Sequence, residues 1–113
     1  MPVPDLAPRL AVLSRRLVLG RRVPVATGFA ARALGLAFLD PERAGEGLLI
    51  PRCSSVHTFG MRFALDVVFL DRCGVPVSAH RRVPRRRLLS DRRAAAVLEV
   101  PSLPGGEFSP PGT

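Results

Sequence analysis

The stretch CSSVHTFGMRFALDVVFLD, Cys53 to Asp71, decides the fold class. His57, Phe59, Met61, Phe63, Leu65, Val67 and Phe69 share one parity, and Thr58, Gly60, Arg62, Ala64 and Asp66 share the other. Alternation over this length predicts a β-strand with its odd-numbered face on a core. From Val67 to Leu70 both parities are apolar, as in a strand buried on both faces. Asp71-Arg72-Cys73-Gly74 then reads as a hairpin turn, with glycine where positive φ is needed. Val75 to Val83 returns as the partner strand.

Upstream, Gly47-Leu48-Leu49-Ile50 is a short apolar strand ended by Pro51. Leu17-Val18-Leu19 and Val23-Pro24-Val25 flank a tight turn at Gly20-Arg21-Arg22. Pro24 cannot donate to a ladder, which places its strand at a sheet edge. Between these blocks Thr27 offers an N-cap hydroxyl, and Phe29, Ala33 and Leu36 follow at near-helical spacing. With Gly35 as the stop, one short helix is expected over about 28–35. Asp40 to Gly47 is turn chemistry and holds three of the nine acids. After an arginine-rich loop, Ala94 to Val100 reads as a last strand or a short helix. The expected organisation is a loose leader over 1–16, one β-rich domain over 17–101 and a disordered Pro/Gly/Ser-rich tail over 102–113. A chain of 113 residues, 47% hydrophobic, suits one domain with one core.

The formal net charge is +8, which raises nucleic acid or an anionic membrane as partners. Composition weakens that clue. All the basic residues are arginine, and lysine, asparagine and glutamine are absent. Arginine, alanine, glycine and proline have GC-rich codons, so a GC-rich genome produces this bias whatever the function. Tyrosine and tryptophan are absent, which excludes a site built on their stacking. Two cysteines do not make the disulfide framework of a small secreted domain. The N-terminal apolar run Leu10-Ala11-Val12-Leu13 is too short for a signal peptide, and no apolar run is long enough to span a membrane. These features point to a cytoplasmic protein with reduced thiols.

Three polar residues inside the apolar block are the candidates for function: His57, Arg62 and Asp66. Histidine titrates near neutral pH and suits ligand contact or proton transfer. Asp66 stands between Leu65 and Val67, where burial obliges a carboxylate to be paired or hydrogen-bonded. Four residues along a straight strand separate Arg62 from Asp66 by roughly 13 Å, so they meet only if the chain bends at Gly60 or Ala64. Cys53, Thr58 and Met61 are secondary candidates. Cys53, His57, Cys73 and His80 do not make a zinc site: structural sites bring at least one close pair of like ligands, and C-x₃-H and C-x₆-H do not. Cys53 with His57 as nucleophile and base meets the same four-residue separation. No cofactor motif is present. The basic loop Arg81, Arg82, Arg85, Arg86 and Arg87 could meet phosphates but lacks interleaved aromatics for base stacking.

The pattern H-T-F-x-M-R-F-x-x-D-V-x-F-L-D, between the GLLIPRCSSV strand and the VLEV strand, resembles the domain-of-unknown-function 192 family. ATGFAARALGLAFLD resembles its N-terminal region, with Arg32 and Gly35-Leu36 matching. The resemblance covers about residues 17–101 and implies a compact antiparallel β-sandwich or barrel of jelly-roll type, with one short helix near the N-terminus. It implies no established activity. His57, Met61, Arg62 and Asp66 match the family, Cys53 only a subgroup. Ala64 stands where the family commonly has proline, and PSLPGGEFSPPGT replaces a glycine-rich turn and acidic closing strand, so an exposed sheet edge is expected. The resulting expectation is a non-enzymatic binding or accessory module. It would present a polar cluster at the end of its central strands to a small polar ligand, or an exposed edge to a partner protein's strand. An enzyme using Asp66 and His57 as an acid–base pair is the alternative, and weak nucleic-acid binding through the arginine loop is a second.

Overall fold

Strand β5 (Leu65–Leu70) is buried at all six positions and organises the molecule. The computed structural model describes residues 6–102. In chain order the other elements are α1 (Pro8–Ala11), β1 (Arg15–Val18), β2 (Arg21–Pro24), α2 (Phe29–Leu34), α3 (Pro41–Ala44), β3 (Leu48–Pro51), β4 (Ser55–His57), β6 (Pro76–Val83), β7 (Leu88–Ser90) and β8 (Ala96–Pro101). The fold is mainly β and sandwich-like, without closing into a barrel. A four-stranded antiparallel sheet in the order β3-β8-β5-β6 lies between smaller units. Two-stranded antiparallel pairs β1-β2 and β4-β7 complete it.

Period-2 side-chain geometry explains the layers. Leu65, Val67 and Phe69 of β5 join Val97, Leu48, Ile50, Leu36 and Leu10 in one core. Val68 and Leu70 join Leu98, Val100, Leu49, Val18 and Val23 in a second. The central sheet therefore has apolar material on both faces, which is why both parities of β5 are hydrophobic. Phe69 is fully buried, and burying one such side chain contributes roughly 1.5–3 kcal/mol. At the β5–β6 turn, Asp71 Oδ1 accepts the backbone N–H groups of Cys73 (2.8 Å) and Val75 (3.0 Å), and Gly74 takes φ 81°.

Several local expectations change. Residues 57–69 are not one strand. β4 ends at His57 and β5 begins at Leu65, with a turn between them where Gly60 has φ 80°. Thr58 drives the break: its side chain is fully buried, donates to Pro84 O (2.7 Å) and accepts from Arg87 N (2.8 Å). The parity rule fails across this turn, so His57 and Phe59 are exposed although they share the apolar parity. Helix α2 begins after Gly28, and no side chain caps it, so Thr27 is not its cap. Proline at the first helical position turns Pro41–Ala44 into a helical turn, α3, inside the segment read as pure turn. The last segment is strand, not helix. Within the span read as a leader, α1 packs on the core, with Leu10 only 1% exposed. Most of the tail, 103–113, lies outside the described residues. No helix among the described residues is long and apolar enough to cross a membrane.

Candidate functional site

The three sequence candidates go to separate places. Asp66 is 6% exposed. Its Oδ1 accepts the Arg82 backbone N–H (2.9 Å) and the Ser102 hydroxyl. That carboxylate ties β6 and the chain after β8 to β5, which is a structural task. Arg62 is exposed and pairs with Asp40 at 3.2 Å, a contact worth little in water. His57 receives the Phe59 N–H at Nδ1 (3.2 Å), which leaves Nε2–H directed at the Ala33 carbonyl (3.2 Å). Asp66 and His57 share no hydrogen bond. Of the secondary candidates, Met61 is core and Thr58 is the turn anchor described above. The basic loop is solvated: Arg81, Arg82, Arg85, Arg86 and Arg87 are all exposed.

A pocket of about 220 Å³ opens beside His57. Its walls are Arg32 to Gly35 of the α2 region, Ile50 from β3, and Cys53, Ser55 and Val56, with Glu99 of β8 inside. Glu99 is the residue that sequence reasoning missed. It is 3% exposed, and its Oε1 has no hydrogen-bond partner. The Leu36 backbone N–H donates to the carboxyl, but burial outweighs that bond and pushes the group up to about 7 from 4.5. The signal was available: one carboxylate inside Ala-Val-Leu-Glu-Val-Pro is the same anomaly as Asp66 inside its apolar run.

The position of Glu99 follows from the strand. It shares the parity of Val97, so it faces the core that α2 covers. Two arginines fasten the α2 region there. Arg32 donates to Pro51 O and, at 3.0 Å, to Arg52 O. Arg9 donates to Gly35 O (3.0 Å) and Ala37 O (2.5 Å). Gly35 then lies directly over the carboxyl: a Cβ at this position would stand 2.7 Å from Glu99 Oε1, and φ there is 53°. Only glycine permits that approach.

Cys53, Arg32 and His57, which also line the pocket, are already engaged. The Cys53 thiol donates to Ser55 O (3.1 Å), Arg32 holds two carbonyls, and His57 is bonded at both nitrogens. Among the described residues, Glu99 Oε1 is left as a buried oxygen without a partner. Leaving such a group unpaired costs about 1–3 kcal/mol.

A family model matches residues 14–108, most of the chain. The chain belongs to the domain-of-unknown-function 192 family. That family is described as "Uncharacterized ACR, COG1430". No curated protein matches the chain. Among solved structures, this family member is similar to a protein of unknown function from Novosphingobium aromaticivorans DSM 12444, at 20% identity and TM-score 0.57. That match covers 70% of this chain and 61% of the other, so the chain spans less than two thirds of that protein. It is also similar to a "putative transcription regulator" from Sinorhizobium meliloti 1021, at 20% identity and TM-score 0.58, covering 78% of each chain. Both likenesses concern the fold alone.

Proposed function

We propose that this domain is a non-enzymatic binding module whose site is the Glu99 pocket. The observation that carries the reading is the unpartnered, buried Glu99 Oε1 inside a cavity. A ligand hydrogen bond there offsets a desolvation cost that the free protein bears. The ligand is small: 220 Å³ is below the size of most drug-sized sites and equals roughly seven water volumes. It is also uncharged. The carboxyl disfavours an anion, while Arg32 on the wall and the +8 chain disfavour a cation. A hydroxyl or primary amide on a short carbon body fits both protonation states of Glu99, because either group donates and accepts. Ile50, Val56 and Ala33 suit the carbon body.

The test is ligand-observed NMR with short alcohols and amides, against size-matched amines and carboxylates. Neutral members should bind, and Glu99→Leu should abolish binding while Glu99→Gln keeps it within a few-fold. Undiminished binding to Glu99→Leu would refute the assignment.

A further inference from the structure

The larger cavity lies elsewhere and has a different chemistry. A cleft of about 420 Å³ runs between β1, the end of β3, the β5–β6 turn and the start of β8. Its apolar lining includes Val18, Leu49 and Leu70, each less than a tenth exposed. Three arginines line it: Arg16 from β1, Arg52 just after β3 and Arg72 from the β5–β6 turn. Residues far apart in sequence thus bring three guanidinium-bearing side chains to one cavity.

Among the described residues, none of these three side chains has a hydrogen bond or ion pair. The one acid in the lining, Asp71, has its Oδ1 engaged by the Cys73 and Val75 N–H groups of the β5–β6 turn. The backbone of Arg52 is also held in place. It has φ 49°, and its carbonyl receives Arg32 Nη2 at 3.0 Å. A bulky residue kept at positive φ needs surrounding structure to hold it, and this one has it. Guanidinium is the side chain best shaped for bidentate bonds to carboxylate or phosphate oxygens.

We infer that this cleft binds a small organic dianion, with its charged groups on Arg16, Arg52 and Arg72 and its carbon body on the Val18–Leu49–Leu70 floor. The volume lies in the usual range for small-molecule sites, unlike that of the Glu99 pocket. The two sites are chemically opposite: one takes a neutral group on a buried acid, the other an anion on arginines.

The test is isothermal titration at 150 mM NaCl with phenyl phosphate and phthalate, and with benzoate as the monoanion. Saturable binding of either dianion, at least about tenfold tighter than benzoate, is expected. Phenyl phosphate against phthalate separates a phosphate source from a dicarboxylate one. Arg16→Gln and Arg72→Gln should each weaken binding about tenfold or more, the scale of one charge-assisted hydrogen bond. Arg85→Gln, outside the cleft, should change nothing. Equal losses from Arg85→Gln and Arg16→Gln would reduce the effect to overall charge and overturn the proposal, as would an absence of saturable binding. Amide shift perturbations must fall on residues 16–19 and 70–74. Perturbation around Glu99 instead would also overturn it, as would loss of dianion binding in Glu99→Leu, which removes only the neutral-ligand site.

Discussion

Replacing Glu99 by glutamine should remove most of a pH-dependent stability loss from this protein. The carboxyl is held at about 7 in the folded chain and returns to about 4.5 when unfolding exposes it. Between those values the folded state keeps a proton that the unfolded state has released, so stability falls as pH rises. Below pH 4.5 the group is neutral in both states and carries no ionisation penalty. Above pH 7 it is ionised in both, and the full penalty applies. At about 1.4 kcal/mol per pKa unit, that penalty is on the order of 3 kcal/mol. Glutamine keeps the shape and carries no charge. The stability of Glu99→Gln minus wild type, from urea unfolding at matched pH, should rise by on the order of 3 kcal/mol between about pH 4.5 and 8 and then level. Using the difference cancels the other titrating groups to first order. Those that face Glu99 across the pocket are Arg32, Cys53 and His57. A difference curve that is flat, or that rises toward acid, would refute the burial argument.

Asp66→Ala should lower stability by roughly 2–4 kcal/mol in urea unfolding, because it strands the Arg82 N–H and the Ser102 hydroxyl. In material that stays folded, ligand binding at the Glu99 pocket should be unchanged. Gly35→Ala should cost about 1–3 kcal/mol for the strained backbone and push the Glu99 carboxyl aside, weakening pocket binding in the same NMR titration. Asp91 accepts from Ser78 Oγ (2.7 Å) and Arg93 Nη2 (2.8 Å), and those bonds hold its carboxyl well below the usual range. Its stabilisation is present above the ordinary carboxylate pKa and lost as acid protonates it, so Asp91→Asn should flatten the acid limb of the stability curve. Duplex DNA should bind the Arg81–Arg87 loop only by counterion release. A mobility shift seen at 50 mM salt should vanish by about 200 mM, and survival there would refute binding by counterion release alone.

The amino-acid sequence alone determined the β character, the doubly apolar β5, the Asp71–Gly74 hairpin, the short helix and the family. These rest on local patterns: side-chain period, turn residues and runs of burial. It also located Asp66 as a buried carboxylate, because burial without a partner is costly wherever the residue sits. It misplaced His57, because a parity rule assumes an unbroken strand, and the Thr58 bonds to Pro84 and Arg87 that break it lie 26 and 29 residues away. Only the tertiary structure decided which of two similar anomalies leaves a buried oxygen without a partner among the described residues. Asp66 finds Arg82 and Ser102 across strands, whereas Glu99 is covered by Gly35 and left with one unpartnered atom in a pocket. Likewise, three arginines spread over 56 positions share one cleft only after the chain folds. Burial is written into residue type and spacing, but the partner of a buried or charged group comes from distant chain and is set by how the layers close.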